Sequence, residues 1–249
     1  MPEVQHLERG AEARLAFNHI SGSAPTLVFL PGYMSDMAGT KALFIAAWAA
    51  EHRRACLRLD YSGCGASEGE FAEGSIRRWA ADARAVIDHA APEGPLILIG
   101  SSMGGWIMLH LALGLRARVA GLVGIAAAPD FTRWGLNLDD ADRATLATHG
   151  FVTRPSDYGP EPYRYHRALI ADAEEAALLD GSIDISAPVR LLHGLEDTAV
   201  PWEVSLRLAH ALCSADVRLT LVKGGDHRLS APDQLALIVR TIEELAPCP

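Results

Sequence analysis

One five-residue turn, Gly100-Ser101-Ser102-Met103-Gly104, constrains this chain more than any other stretch. It reads G-x-S-x-G, follows directly on the apolar run Leu96-Ile97-Leu98-Ile99, and leads into the apolar segment 106–115. A serine at a sharp strand-to-helix turn of this kind sits on a tight bend, with its hydroxyl exposed above the end of a sheet. Side chains at the flanking glycines would collide with the neighbouring strand and helix. Ser102 is therefore the expected nucleophile, and Ser101 is read as its structural neighbour.

Strand-like and helix-like segments alternate around this turn. Residues 14–20 alternate apolar and polar, as an edge strand does. Residues 26–30, 55–59, 96–99, 119–126, 189–193 and 217–222 read as further strands, mostly buried. Residues 41–54 carry helical apolar spacing. A helix is expected over 75–90 with Ser75 as N-cap, and a last helix capped by Ser230, with Pro232 in its first turn and Leu235, Ile238, Val239 and Ile242 on one face. This alternation predicts an α/β fold: a mostly parallel sheet with helices on both faces, and ligands beyond the carboxyl ends of the strands. Residues 1–249 are read as a single domain, a normal size for such a fold. Segment 130–185 is too long for a simple crossover, holds Trp134, three prolines and several tyrosines, and shows no clear strand. It is read as a small cap or lid inserted over the site.

Composition excludes several partners. The net charge of −9 argues against nucleic acid and against an anionic membrane surface. Residues 94–115 contain no Lys, Arg, Asp or Glu, but Gly-Ser-Ser-Met-Gly-Gly at their centre divides them into a buried strand and a buried helix, so no membrane span is expected. Cys56, Cys64, Cys213 and Cys248 form neither a C-x-x-C pair nor a metal set and read as reduced thiols. The N-terminal residues lack an apolar signal core and an Arg/Ser-rich transit character. These features together predict a cytoplasmic protein.

A serine hydroxyl is a weak nucleophile without a base to take its proton and a third group to orient that base. Behind a turn of this type, the partners follow in the order Ser, acid, His. Asp197 lies just past strand 189–193, in His193-Gly194-Leu195-Glu196-Asp197. His227 lies just past strand 217–222, in Lys223-Gly224-Gly225-Asp226-His227. Two backbone N–H groups should hold the developing oxyanion. One is that of Met103, at a helix start where the dipole favours negative charge. The other belongs to the loop Pro31-Gly32-Tyr33-Met34, with Tyr33 as the donor. Tyr33, Met34, Trp106, Trp134 and Trp202 are candidate pocket walls, with core packing an equal alternative for each tryptophan. Asp130, after strand 119–126, is the rival acid. His193 is read as a supporting residue rather than the base, His110 as a packed residue, Asp60 as a loop-shaping one, and the Asp226 side chain as divergent from the site. No metal and no organic cofactor is called for.

Together these residues resemble the α/β-hydrolase superfamily of serine hydrolases. Within it, the sequence is similar to the group of the mitochondrial palmitoyl-protein thioesterase of animals, also known as the mycophenolic acid acyl-glucuronide esterase. The specific carriers are the loop 31–42 (Pro-Gly-Tyr-Met-Ser-Asp-Met-Ala-Gly-Thr-Lys-Ala) and the Gly104-Gly105-Trp106 that follows the turn. Asp60-Tyr61-Ser62-Gly63, Arg190-Leu191-Leu192-His193-Gly194, Val200-Pro201-Trp202 and Asp226-His227-Arg228 add to them. The resemblance runs from about residue 15 to 245 and is weakest in 130–185. It implies hydrolysis of acyl thioesters such as S-palmitoyl cysteine and of acyl-glucuronide esters, with Ser102 as nucleophile, Asp197 as acid and His227 as base. A small-molecule or acyl-chain substrate is expected, and a protein substrate is left open. The fold also hosts other chemistry, such as C–C bond hydrolysis, and inactive binding modules; these stay as alternatives.

Overall fold

A computed structural model describes residues 3–156 and 160–246. In chain order the elements are β1 (Gln5–Arg9), β2 (Glu12–Ile20), β3 (Ser23–Leu30), α1 (Thr40–Glu51), β4 (Arg54–Leu59), α2 (Ile76–Ala90), β5 (Leu96–Ser101) and α3 (Met103–Leu115). Then come β6 (Val119–Ile125), α4 (Phe131–Trp134), α5 (Asp140–His149), β7 (Phe151–Arg154), β8 (Tyr163–His166), α6 (Arg167–Ala176), β9 (Val189–Gly194), α7 (Glu203–Ala211), β10 (Val217–Val222) and α8 (Pro232–Leu245). Eight strands form one sheet in the order β1-β2-β4-β3-β5-β6-β9-β10. Pairings of β1 with β2 and of β2 with β4 are antiparallel; all others in this sheet are parallel.

Period-two alternation splits each central strand between two cores. On β3, Val28 and Leu30 join one core, while Leu27 and Phe29 join the other. On β5 the division is Leu96 and Leu98 against Ile97 and Ile99. The first core lies under α2, α3 and α7, and the second under α1 and α8. Helix α2 shows the matching helical period: Ile76, Trp79, Ala83, Val86 and Ile87 are buried, and the Ser75 hydroxyl accepts from the Arg78 N–H at 3.4 Å. Both faces of the sheet are therefore covered, and the carboxyl ends of β3, β5, β6, β9 and β10 open on one rim.

Three local expectations change. The strand over 14–20 is β2, second from the edge; β1, with the sequence QHLER and only Leu7 packed on the core, takes the edge and carries no hydrophobic signal. The last helix is capped at Ala231 and not at Ser230: Gln234 Oε1 reaches back to the Ala231 N–H at 3.1 Å, and the Ser230 hydroxyl donates to the Arg228 carbonyl. Segment 130–185 contains a β hairpin, β7 against β8, as well as α4, α5 and α6. Its strands are four residues each and mix charged with aromatic residues, too short for alternation to stand out. Cys56 and Cys64 are buried and Cys213 is exposed, all three as free thiols, while Cys248 lies outside the described residues. No helix of the described residues is long and apolar enough to cross a membrane.

Candidate active site

Strand β5 delivers the chain to Ser102 in a conformation that L-residues rarely adopt, with φ 54° and ψ −122°. Its neighbours hold it there. The Ser102 N–H donates to the Ile125 carbonyl at 2.9 Å, and its carbonyl accepts from Gly105 at 2.8 Å and Ala128 at 3.0 Å. The glycines are steric necessities. A Cβ on Gly100 would lie 2.4 Å from the Gly104 carbonyl oxygen, and one on Gly104 would lie 2.1 Å from that of Leu30. Helix α3 can therefore start directly against the end of β3.

Ser102, Asp197 and His227 come from three separate strand ends and meet on one rim. Ser102 Oγ is 3.1 Å from His227 Nε2, and His227 Nδ1 is 2.8 Å from Asp197 Oδ2. The other carboxylate oxygen, Oδ1, accepts from the Ala199 N–H at 2.9 Å and the Val200 N–H at 2.8 Å. Burial on its own would raise the Asp197 carboxyl. Hydrogen bonds from His193 and His227, and the positive charge available on His227, instead hold it well below the usual carboxylate range. Asp197 is thus ionised whenever the imidazole needs an acceptor. With Asp197 on Nδ1–H, His227 Nε2 faces the serine as an acceptor.

His193 is wholly buried behind this pair. Its Nε2 is 2.9 Å from the Val200 carbonyl and 3.1 Å from Asp197 Oδ2, and its Nδ1 is 2.7 Å from Ser205 Oγ. Only the tautomer with hydrogen on Nε2 serves all three, with the Ser205 hydroxyl donating to Nδ1.

The rival acid sits elsewhere. The buried Asp130 carboxylate accepts from the Leu178 N–H at 3.0 Å and the Leu179 N–H at 2.8 Å, tying the two ends of the inserted segment together. Asp226 Oδ1 accepts from the Leu229 N–H and shapes its own turn. Asp60 accepts from the Met37 and Ala66 N–H groups, and burial raises its carboxyl. His110 Nε2 contacts the Ala176 carbonyl at 2.8 Å.

Gly32 packs onto Ser102. A Cβ there would lie 3.3 Å from both the Ser102 Cβ and the Ser101 carbonyl oxygen. The loop after β3 therefore runs beside Ser102, and Tyr33 and Met103 line one cavity. This cavity, about 750 Å³, holds Ser102 and His227 in its lining. Tyr33, Met34 and Trp134 line it. Trp106 and Trp202 do not. Trp106 is fully buried, donating to the Ala176 carbonyl at 2.9 Å and packed edge-on to Phe131. Trp202 is half-buried at the start of α7. Sequence reasoning missed Phe131, Tyr163 and Tyr165, whose rings adjoin that of Tyr33 in the lining, and Lys41 and Arg228 beside His227. The tyrosines of 130–185 were the available signal for the first group: Tyr163 and Tyr165 share one face of β8. Lys41 donates to the Arg228 carbonyl at 2.5 Å, and burial, with Arg228 nearby, pushes its ammonium down to about 8 against the pull of Asp226. Among the described residues, no group of three or more His, Cys, Asp or Glu is disposed to hold a metal ion.

Comparison with known proteins agrees with this fold. The family model described as serine aminopeptidase, S33, matches residues 23–147. The mitochondrial palmitoyl-protein thioesterase ABHD10 of Mus musculus is 39% identical over 245 residues, covering 97% of this chain and 82% of the mouse protein. A crystal structure of a putative hydrolase from Agrobacterium vitis superposes with a TM-score of 0.91 at 42% identity, covering 98% of this chain and 97% of that one. The structure of ABHD10 from mouse superposes equally well, with a TM-score of 0.91 at 38% identity and 98% of each chain covered. The expectation of a cytoplasmic location is corrected by these relatives, since the mouse, bovine and human proteins are mitochondrial. Two of its premises, reduced thiols and a negative net charge, describe proteins of either compartment.

Proposed function

Because the chain belongs to the α/β-hydrolase superfamily, in the group of the palmitoyl-protein thioesterase ABHD10, and is a serine hydrolase of esters and thioesters, we propose that Ser102, His227 and Asp197 are its catalytic triad and long-chain acyl thioesters its preferred substrates. The observation that carries the triad is the unbroken hydrogen-bond chain from Ser102 Oγ through both nitrogens of His227 to Asp197.

His227 Nε2 takes the proton of Ser102 as the hydroxyl oxygen attacks the acyl carbonyl. The N–H groups of Met103 and Tyr33 receive the oxyanion, and the start of α3 adds its dipole. The imidazolium, steadied by ionised Asp197, then protonates the departing thiolate or alkoxide as the carbon–leaving-group bond breaks. Water, deprotonated by the same nitrogen, attacks the acyl-enzyme and releases the acid, returning the proton to Ser102. Segment 130–185 acts in this reading as a cap whose aromatic wall, Phe131, Trp134, Tyr163 and Tyr165, shelters the acyl group. The cavity volume lies within the ordinary range of small-ligand sites, roughly 300–1,000 Å³.

Matched acyl thioesters and p-nitrophenyl esters of increasing chain length test both parts. The proposal expects turnover of both classes, a rise in kcat/KM toward long chains on the thioester, and a loss on the order of 10⁶ in kcat for Ser102→Ala. Turnover by Ser102→Ala close to that of the parent would exclude the serine. A preference for acetyl over long chains would exclude the substrate class.

A further inference from the structure

One side chain joins the loop beside Ser102 to the inserted hairpin. Tyr33 follows Gly32, which packs on the nucleophile, and its own backbone N–H is the oxyanion donor assigned above. The Tyr33 hydroxyl crosses to the hairpin and donates to the backbone carbonyl of Arg164, in the middle of β8. Its ring stacks on Tyr165, with centroids 4.9 Å apart and planes 12° from parallel. The same ring also meets Phe71 at 5.2 Å and Trp79 at 6.1 Å, both carried outside segment 130–185. Burial, with Tyr165 and Cys64 adding to it, pushes the phenol far above its ordinary range, so the hydroxyl remains a donor.

Oxyanion donors act only within a narrow distance of the developing charge, about 2.7–3.1 Å. Residue 33 is thus placed from two directions. Its backbone is set by the close approach of Gly32 to Ser102, and its side chain is set by the seating of β8. Movement of the hairpin away from the cavity would remove a stacking partner and a hydrogen-bond acceptor from the residue whose N–H must stay in register.

We propose that Tyr33 is a positioning residue that couples the seating of the β7–β8 hairpin to the placement of the oxyanion donor over Ser102. The enzyme would then be fully competent only with the hairpin closed on the cavity. The inference rests on the triad and oxyanion reading above.

Its test uses the full chain and three variants. Tyr33→Phe removes the hydroxyl and keeps the ring, Tyr33→Ala removes both, and Tyr165→Leu removes the stack from the hairpin side. On p-nitrophenyl acetate, whose acyl group is too small to need the aromatic wall, kcat should fall about tenfold for Tyr33→Phe and about 100-fold for Tyr33→Ala, with KM changing less than about threefold. Tyr165→Leu should fall in the same direction. Inhibition by methylboronic acid, whose tetrahedral serine adduct fills the same two donors, should weaken in parallel with kcat. A raised KM with unchanged kcat, or a lowered kcat with undiminished boronic acid inhibition, would overturn the coupling and leave Tyr33 a wall of the pocket. Circular dichroism and fluorophosphonate titration count the folded, reactive molecules; if Tyr33→Ala does not fold, the other two variants carry the test. Parental turnover that is abolished in Ser102→Ala tests the triad separately, so failure of that reading and failure of the coupling give different results.

Discussion

His193 Nε2 lies 3.1 Å from Asp197 Oδ2, and neither side chain is exposed. The same oxygen accepts from His227, so two imidazoles share it. Removing one donor makes a carboxylate more basic. In His193→Phe, paired with Ser205→Ala so that no hydroxyl loses its acceptor, Asp197 should bind the protonated His227 more strongly. The acid limb of the kcat/KM profile should move to higher pH. An unmoved limb, with only a uniform loss of rate, would show that His193 does no more than pack.

The two candidate acids should separate by type of damage. Asp197→Asn should lower kcat by roughly 10⁴, the cost of an imidazole held in the wrong tautomer. Asp130→Ala should leave kcat within a few-fold. It should cost about 1–3 kcal/mol of stability, because the Leu178 and Leu179 N–H groups lose their acceptor. Urea unfolding alongside kinetics reads both; a larger kinetic loss at Asp130 would reverse the assignment.

Lys41 predicts a stability that depends on pH. Its ammonium titrates near 8 in the folded protein, against 10.5 as a free side chain. Below about pH 8 both states carry the proton, and the folded state bears the cost of a partly desolvated charge. Between about 8 and 10.5 the unfolded state binds more protons, so this contribution to stability rises with pH. Unfolding free energies measured from pH 7 to 10.5 should rise more steeply in the parent than in Lys41→Met. Parallel curves would contradict the desolvation of that charge.

Glycines of helix α3 should behave oppositely. Gly114→Ala meets no atom closer than 3.9 Å, the Arg84 Nη1, and should stabilise by about 0.5–1 kcal/mol through helix propensity. Gly104→Ala drives a methyl against the Leu30 and Pro31 carbonyls and should prevent the helix from seating at all. Soluble yield and urea midpoints distinguish the two, and a folded, active Gly104→Ala would refute the steric account of the turn.

The readable parts of this chain are those where local pattern and tertiary placement coincide. Strands β3, β5, β6 and β9 are covered on both faces, so their sequences are nearly unbroken apolar runs. Ser102 and Asp197 each follow such a run, and His227 follows the edge strand β10, whose apolar and polar residues alternate, which is why spacing alone could bring them to one rim. Strand β1 stayed hidden because pairing with β2, rather than burial, defines it. Trp106 shows the opposite difficulty. Its place directly after the turn suggests a pocket wall, yet the helical rotation turns it toward Ala176. Tyr163 and Tyr165 reach the cavity only through the hairpin, a feature of chain path that no window of neighbouring residues encodes.

Segment 130–185 leaves the sheet after β6 and returns before β9, which are hydrogen-bonded neighbours. Its excursion therefore interrupts no strand pairing, and Ser102, Asp197 and His227 all lie outside it. The chain thus keeps its proposed triad and much of its aromatic cavity wall on separate stretches of sequence. One stretch can be rewritten, lengthened or exchanged with a relative's while the other is left intact. What such a chimera accepts can be altered independently of how it cleaves, and this makes the junctions near residues 130 and 185 natural seams for redesign.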